Sequence, residues 1–435
     1  MDAQINFLYL RPIVFSFIIF VYGVLFYSII TCQYNDDFTS FYSSALSAKQ
    51  GNNPYQIMMS SFLPIEREII INLNPPIMLL LISPLSYFTY PVALKIWLIL
   101  SIILGLIGAW ITFRNIFSQN FIKQNWRDLF IGYLFLFSSL MCLSTTQIGG
   151  LLMLCIMLGY YFYLKNYEYH AGILWGFIIA LKFFPGLLLF YVLRQGRTKL
   201  FVIMLLTIAL CFLMPILAYG ATVYKQFYNG MTSISWYQHD WNTSVLGVIH
   251  RIFSEMQLIE WIMPTYILAV CICLMGYLWF LTPKTDLDII NHQPFCLTLV
   301  MMLVISPLGW IYYFSILLFP LLLLWTSIMK EREEFSQSAK LWLASLFFLN
   351  FPRSGGSSAQ EVYYDRLVFT SFYFIGLLIL LYLLTVKKKY LGSNNDVSID
   401  NTKNSFVLYT FIILAFGFIV PSTGILLRLS RACVY

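Results

Sequence analysis

Long apolar segments, separated by short polar ones, make up most of this chain. Roughly 20 consecutive apolar residues cross a bilayer as an α-helix. Runs of this kind lie near 12–31, 75–89, 91–113, 129–145, 148–164, 170–193, 200–219, 258–282, 295–309, 310–329, 340–352, 367–386 and 405–427. The pattern predicts an all-α polytopic membrane protein with about 12–13 transmembrane helices. The short runs at 75–89 and 129–145 indicate broken or re-entrant segments.

The first loop, residues 32–74, is predicted to contain a short helix of its own. Apolar side chains recur at helical spacing from Thr39 to Gln50, and the Gly-Asn-Asn-Pro-Tyr sequence at 51–55 predicts the turn that ends it. The pattern favours an amphipathic helix lying in the membrane interface. Three units follow from the pattern: a membrane module at 1–390 that contains this loop, a polar connection at 391–404, and a final span with its tail at 405–435.

Composition excludes a soluble protein. Hydrophobic residues make up 60% of the chain and charged residues 10%, whereas a soluble domain carries about a quarter charged residues. The formal charge of +7 is scattered over short loops, which favours topology signals and contact with membrane lipids over binding of nucleic acid. Cysteine and histidine spacing indicates no metal site, and we expect no metal and no other cofactor.

The basic residues also predict an orientation. Compact basic clusters at 194–199, 330–332 and 387–389 fall on one predicted side, and the positive-inside tendency places that side in the cytoplasm. The loops at 32–74, 220–257 and 352–366 then lie outside. Only the basic loop at 114–127 opposes this orientation. We expect a bacterial inner or plasma membrane, with the active site facing the periplasm or the outside.

Two adjacent carboxylates, Asp36 and Asp37, stand where the first span meets water. A carboxylate at a bilayer face is costly unless it is solvated or paired, and this position is reachable by a polar substrate near the lipid head groups. Asp37 is therefore the candidate general base. Consecutive helical residues do not face one cavity, so Asp36 is expected to be solvated, to cap the helix or to contact the acceptor. A solvated loop start without catalytic function is the alternative.

Lys182 is a charge inside the apolar run 170–193, where it is expensive. An ammonium is a strong point charge for phosphate, so Lys182 is a candidate phosphate-binding residue. Snorkelling towards an interface or a structural ion pair is the alternative. Arg353 and Arg366, in the last predicted outer loop, are further candidates for the phosphate.

Residues 236–244 alternate aromatic and polar side chains, which suits a sugar. The apolar faces of sugars stack on rings, while their hydroxyls pair with polar groups. The candidate sugar or acceptor contacts are Trp236, His239, Asp240, Asn242 and Ser244 in this segment, and Tyr42, Tyr55, Gln147 and Trp310 elsewhere. An interfacial aromatic belt is the alternative. Asn242-Thr243-Ser244 also matches an N-glycosylation pattern, a weak signal.

Taken in order, short motifs from about residue 30 to residue 325 resemble glycosyltransferase family 87, whose members have the C-type glycosyltransferase fold. The motifs are Asp37-Phe38 with Phe41-Tyr42 and Asn53-Pro54-Tyr55; Asn74-Pro75-Pro76 with Ser83-Pro84-Leu85; Gln147 with Gly149; Gly172 with Gly176, Lys182 and Pro185; Asn242 with Ser244; and Ser306-Pro307 with Trp310. Each motif is short, and the ordered set carries the resemblance. The chain departs from the family's usual Gly-Gln-x-Asn pattern, which reads Thr146-Gln147-Ile148-Gly149 here, and at Asp36, where glycine is usual.

The resemblance implies transfer of a sugar, mannose or another hexose, from a polyprenyl-phosphate carrier to a lipid or glycan acceptor at the outer membrane face. It also implies that Asp37, which matches the family's first-loop aspartate, is the catalytic base. Two rival functions remain. An O-antigen ligase or polymerase is expected to have its large, basic outer loop late in the chain. A transporter or flippase of lipid-linked sugars predicts inverted repeats and charges in several spans.

Overall fold

A computed structural model gives the fold of the chain. It describes residues 2–32, 35–64, 66–233, 236–281, 291–352, 371–386 and 404–432. Arg353 and Arg366, the two arginines predicted to bind phosphate, and most of the polar connection lie outside these residues.

Almost all regular structure is helical. The α-helices are α1 (Asp2–Cys32), α2 (Asp36–Lys49), α3 (Ile77–Ile82), α4 (Tyr90–Ile116), α5 (Gln119–Leu134), α6 (Phe137–Ser144), α7 (Gly149–Leu164), α8 (Glu168–Leu181), α9 (Leu187–Arg194), α10 (Thr198–Tyr219), α11 (Thr222–Thr232), α12 (Val245–Glu255), α13 (Ile262–Phe280), α14 (Gln293–Ile305), α15 (Leu318–Met329), α16 (Gln337–Leu349), α17 (Phe372–Val386) and α18 (Asn404–Ala432). Short 3-10 helices span Ser83–Tyr87, Phe184–Gly186, Trp236–Gln238, Ile259–Trp261 and Ile311–Leu317. Strands β1 (Met58–Met59) and β2 (Glu68–Ile69) pair antiparallel within the first loop.

The predicted class, an all-α polytopic membrane protein, is confirmed. Within the described residues, six helices are long and apolar enough to cross a membrane, and a seventh span results if α5 and α6 are counted together. These two helices are bent by 62°, which confirms the predicted break in the run 129–145. Several other predicted spans are shorter apolar helices, so the expected total of 12–13 stays a prediction. The segment Ile311–Met329 is central, since 89% of its most apolar part is buried inside the protein.

Small residues allow the membrane helices to approach closely. A Cβ placed on Gly150 of α7 would lie 2.5 Å from the carbonyl oxygen of Ser101 in α4, and one on Gly176 of α8 would lie 2.8 Å from that of Met204 in α10. Apolar side chains gain little by leaving lipid, so such helices associate through close backbone packing. These two contacts join α4 to α7 and α8 to α10.

The first loop is folded onto the membrane helices. The helix predicted over 39–50 is present as α2 and ends at Lys49, with Gln50 at its C-cap and then Gly51, whose φ is +78°. However, α2 is buried on nearly every side, because its serines are enclosed as fully as its aromatic residues. It is therefore more enclosed than an interfacial helix with one polar face in water. The helix packs mainly against α3 and the 3-10 segment Ser83–Tyr87, and its Phe38 ring contacts Tyr90 and Trp97 of α4.

Candidate active site

The start of α2, which bears Asp37, is tied to the turn between α6 and α7. The Asn35 side-chain amide donates to the Ser144 carbonyl oxygen at 2.6 Å, and the Thr146 hydroxyl donates to Asn35 Oδ1 at 2.6 Å. The peptide N–H of Phe38 in turn donates to Thr146 Oγ1 at 3.2 Å. The first N–H groups of a helix have no partner within it, so this bond satisfies one of them. The position of Asp37 is thus fixed by a turn more than 100 residues away in the chain.

Thr146, which makes these bonds, has an unusual backbone conformation. Its φ is +54°, a left-handed region that a β-branched residue rarely adopts. Such a conformation costs about 1–3 kcal/mol and persists only where the surroundings impose it. Here the hydroxyl bonds to Asn35, and the carbonyl oxygen accepts from Trp97 Nε1 at 2.8 Å. Trp97 also stacks on Phe38, with ring centroids 5.8 Å apart.

Lys182 lies at a break in the predicted run 170–193. Helix α8 ends at Leu181, Lys182 is extended with φ −144° and ψ 124°, and a 3-10 turn begins at Phe184. The Asp37 carboxylate is close enough for its charge to act on the Lys182 ammonium. The ammonium nitrogen also lies 5.4 Å from the centre of the Tyr313 ring. Segments that the sequence separates by 145 positions thus bring a carboxylate and an ammonium within range of each other's charge. Asp37 and Lys182 are called the charged pair below.

Further groups surround this charged pair. The Asp37 charge also acts on the Tyr312 and Tyr313 hydroxyls and on the Cys142 thiol. Cys142 lies on α6, and its thiol is 3.5 Å from the Gln147 carbonyl oxygen. Sequence reasoning did not include Tyr312, Tyr313 or Cys142 among the site residues. The adjacent tyrosines after a Ser-Pro-Leu-Gly-Trp break were the available signal.

Asn242 joins the loop before α12 to the loop after α14. Its side-chain nitrogen donates to the carbonyl oxygens of Tyr237 at 2.9 Å and Pro307 at 3.0 Å. Its side-chain oxygen accepts from the N–H groups of Gly309 at 3.0 Å and Ser244 at 3.3 Å. Asn242 is fully buried, so it lies out of reach of a glycosylation enzyme in the folded protein. Its observed contacts are internal, and a contact with sugar stays a prediction.

Ser244 and Arg251 complete this junction. The Ser244 hydroxyl caps α12 by accepting from the Gly247 N–H at 3.1 Å. Arg251, buried on α12, donates through Nη1 to the carbonyl oxygens of His239 at 3.2 Å and Asn242 at 3.0 Å. These bonds hold the backbone of the aromatic segment in place. An arginine in the middle of the mainly apolar stretch 245–253 was the signal that could have found Arg251.

His239 links that segment to the charged pair through a row of rings. The His239 ring contacts the Trp310 ring at a centroid distance of 5.7 Å, and Trp310 stacks on Tyr312 at 5.8 Å. Tyr312 meets Tyr313 edge-on at 4.8 Å, and Tyr313 lies beneath Lys182. Burial lowers the pKa of His239, the adjacent Asp240 raises it, and Arg251 lowers it.

The other predicted site residues have mixed positions. Gln147 is buried beside Thr146, in the turn that fixes α2. Tyr42 and Tyr55 are buried supports, whose hydroxyls donate to the Phe88 carbonyl oxygen at 2.8 Å and the Asn74 carbonyl oxygen at 3.0 Å. Trp236 is exposed and Asp240 is partly exposed. Asp36 is the first residue of α2.

A cavity of about 390 Å³ opens between the membrane helices beside this site. Its walls come from α1, α4 and α5 and are mainly apolar, whereas Ser139, Cys142, Gly150 and Ser315 line it from α6, α7 and the 3-10 segment 311–317. Cys142 thus borders both the cavity and the surroundings of Asp37. Within the described residues, no three His, Cys, Asp or Glu side chains come together as a group that could hold a metal ion.

The fold and the site define an integral-membrane protein. Its charged pair consists of Asp37, at the start of α2, and Lys182, where the chain breaks after α8. The family model of glycosyltransferase family 87 matches residues 72–307, more than half of the 435 residues. The chain belongs to this family and is a glycosyltransferase, as the sequence resemblance indicated.

The match includes some site residues and omits others. Lys182, Gln147 and the 236–244 segment lie within the matched residues, whereas Asp36, Asp37, Tyr42, Tyr55 and Trp310 lie outside them. No curated protein and no solved structure matches the chain in the corresponding comparisons. Assignments for residues before position 72 therefore rest on the geometry described above.

Proposed function

We propose that this glycosyltransferase moves a sugar, mannose or another hexose, from a polyprenyl-phosphate carrier to a lipid or glycan acceptor, with Asp37 as the general base. The observation that carries the proposal is that Asp37 lies within range of the charge of Lys182, which stands at a helix break. One group of this pair can take up a proton, and the other can bind a phosphate. Lipid-phosphate sugar transfer needs both.

The chemistry divides between the two groups. The Asp37 carboxylate takes the proton of the acceptor hydroxyl as that oxygen bonds to the anomeric carbon of the sugar. The bond from the anomeric carbon to the phosphate oxygen breaks, and polyprenyl phosphate leaves as an anion. The Lys182 ammonium stabilises that negative charge. Arg353 and Arg366 remain further proposed phosphate ligands.

The aromatic row supplies surfaces for the sugar in this proposal. Trp310 and His239 lie at its outer end, and rings bind the apolar faces of sugars. Trp236, Asp240 and the polar groups of Gln147, Asn242 and Ser244 remain proposed contacts, as do Asp36, Tyr42 and Tyr55. Trp236 is exposed and Asp240 is partly exposed, so a ligand can reach both side chains. The amide of Asn242 would have to give up an internal hydrogen bond to bind a sugar.

The cavity beside α1 and α4 suits the hydrocarbon of a lipid carrier. Its walls are mainly apolar and it reaches Cys142, on which the Asp37 charge acts. A polyprenyl chain entering from the bilayer along this cavity would bring its phosphate towards the charged pair. Apolar chains enter such cavities because burial removes hydrocarbon from polar surroundings.

We propose that the charged pair faces the outside of a bacterial inner or plasma membrane. Arg194, Arg197 and Lys199 cluster at the junction of α9 and α10, at the end of the 168–194 segment distant from Lys182, and such clusters favour the cytoplasmic side. Cys32, at the C-terminal end of α1, is disulfide-bonded. Disulfides persist in oxidising compartments, which supports an outer position for this end of α1.

The test is sugar transfer by the purified protein in nanodiscs. Radiolabelled polyprenyl-phosphate mannose, glucose and arabinose are supplied in turn with a crude lipid acceptor extract. Asp37→Asn is expected to lower transfer by about 10²–10⁴-fold, the usual contribution of a general base. Asp36→Asn is the matched control, because it makes the same charge change at the start of α2 and should retain most activity. Lys182→Met should lose transfer more severely than Lys182→Arg, which keeps the charge.

Three results would contradict the proposal. Near-wild-type activity in both Asp37→Asn and Asp36→Asn would exclude Asp37 as the base. Transfer from none of the lipid-phosphate sugars, together with passage of lipid-linked glycan across proteoliposomes, would identify the flippase alternative instead. Joining of preassembled lipid-linked glycans without use of a monosaccharide donor would identify the ligase or polymerase.

A further inference from the structure

One face of α2 carries two serines in line with Asp37. Ser40 follows Asp37 by three residues and Ser44 by seven, a spacing that places all three on the same side of a helix. Ser40 is 4% exposed and Ser44 is fully buried. Neither hydroxyl has a hydrogen-bond partner among the described residues.

The other serines of α2 behave differently. The Ser43 hydroxyl contacts Met58 Sδ at 3.6 Å, and the Ser47 hydroxyl donates to the Asn53 carbonyl oxygen at 3.2 Å. Ser43 and Ser47 are also buried. Ser43 and Ser47 follow Ser40 by three and seven residues, so all four serines lie along one stripe of α2. Within this stripe the two hydroxyls closest to the line of Asp37 are the ones without a partner among the described residues. Buried polar groups normally have partners, and each exception requires an explanation.

Unpartnered polar atoms also occur later in the first loop, on Asn72 and Asn74. Asn72 and Asn74 are each 2% exposed, and neither Asn72 Nδ2 nor Asn74 Oδ1 has a partner among the described residues. Asn74 is joined through its carbonyl oxygen to the Tyr55 hydroxyl. Tyr55 belongs to one apolar cluster with Ala48, which follows Ser44 by four residues on the same face. The asparagines are thus connected to α2 through Tyr55 and the apolar cluster that contains Ala48.

Tyr313, whose ring lies next to Lys182, also carries an unpartnered atom. The Tyr313 hydroxyl is buried, has no partner among the described residues and experiences the charge of Asp37. Unpartnered polar atoms therefore occur both on α2 and on the 3-10 segment 311–317. A sugar ring can bond to several such atoms at once, because each of its hydroxyls can both donate and accept a hydrogen bond.

We propose that Ser40 and Ser44, with Asn72 and Asn74, form a polar subsite for the ring hydroxyls of a carbohydrate whose reacting atom lies at Asp37. The inference rests on the proposed function and adds the residues that select the sugar. Ser40 is one helical turn from Asp37, about 5–6 Å between Cβ atoms, which a single monosaccharide ring can bridge. Ser44, a turn further on, reaches more distant hydroxyls or the next sugar unit.

The test compares two double variants of α2. Ser40→Ala/Ser44→Ala removes the unpartnered hydroxyls, and Ser43→Ala/Ser47→Ala removes the bonded ones as a control. Binding to the protein in nanodiscs is measured for a short-chain polyprenyl-phosphate hexose, for the same polyprenyl phosphate without sugar, and for free mannobiose. Thermal unfolding is recorded for each protein.

We expect the Ser40/Ser44 variant to lose about tenfold in affinity for a carbohydrate-bearing ligand, the equivalent of one good hydrogen bond. Its affinity for the bare lipid phosphate should be unchanged, and its melting temperature equal to or above that of the wild type. The control variant should bind all ligands as the wild type does and melt at a lower temperature. A loss confined to the lipid-phosphate hexose assigns the subsite to the donor sugar, and a loss confined to mannobiose assigns it to the acceptor.

Unchanged affinity of the Ser40/Ser44 variant for both carbohydrate ligands would overturn the subsite and leave its hydroxyls to bind water alone. A wild type that binds neither lipid phosphate would instead overturn the proposed donor. In that case the mannobiose measurements still decide the subsite, so the two failures are distinguishable.

Discussion

Asn242 offers the sharpest test of how the site is assembled. Its side chain makes four hydrogen bonds in a fully buried position, and they connect residues 237–244 to residues 307–309. Asn242→Ala removes all four. At about 1 kcal/mol of net stabilisation per bond, the variant should lose roughly 4 kcal/mol of unfolding free energy.

Thr243→Val is the matched control at the adjacent position. The Thr243 hydroxyl donates to the Gly309 carbonyl oxygen at 2.6 Å, but that oxygen also accepts from the Thr243 N–H at 2.9 Å. Removing the hydroxyl therefore leaves no carbonyl without a partner, and valine keeps the shape of threonine. The expected loss is about 1 kcal/mol or less.

Unfolding free energies would be measured by titrating sodium dodecyl sulfate into mixed micelles and following circular dichroism. Asn242→Asp adds a second comparison, because it keeps the size of the side chain while replacing the donor with an acceptor that faces the Tyr237 and Pro307 carbonyl oxygens. It should be at least as destabilising as Asn242→Ala at neutral pH. An Asn242→Ala loss no larger than that of Thr243→Val would refute the reasoning.

Two further predictions concern helix packing and pH. Gly150→Ala should destabilise the protein by about 1–3 kcal/mol, because the new Cβ would lie 2.5 Å from the Ser101 carbonyl oxygen. Gly132→Ala, whose Cβ meets nothing within 4 Å, should stabilise α5 by about 0.5–1 kcal/mol; equal effects in the same titration would contradict this. The lowered pKa of His239 means that the unfolded chain binds a proton more readily there than the folded protein does. Its contribution to stability is thus complete above the ordinary value of 6.5 and decreases as the pH falls below it. Between pH 7.5 and pH 5.5 (about one unit on either side of that value), melting temperature should fall further for the wild type than for His239→Gln, and parallel falls would exclude the effect.

Local patterns were sufficient for the class of fold and for several elements. The periodic apolar residues after Asp37 and the turn at 51–55 predicted α2 almost to its ends. The short run at 129–145 predicted a break, which occurs between Leu134 and Phe137. These features depend on residues near one another in the chain, so a pattern of three or four residues detects them.

The assembly of the site depends on contacts that no local pattern contains. The run 170–193 reads as a continuous span, yet it breaks at Lys182, where the chain meets Tyr313. Ser40 and Ser44 resemble ordinary polar positions of a surface helix until burial is known. Asn242 reads as a sugar ligand because asparagine often is one, and only the folded loops show that both ends of its amide have internal partners.

The strained turn at Thr146 connects the stability of the turn with the position of Asp37. Glycine at this position would release the cost of the positive φ, yet it would also remove the hydroxyl that joins Asn35 to the start of α2. A chain with threonine here keeps the hydroxyl and carries the cost of the positive φ, whereas a chain with glycine, the residue of the family pattern, has neither. Exchange of Thr146 for glycine is therefore expected to relax the turn and at the same time to loosen the start of α2, which bears Asp37.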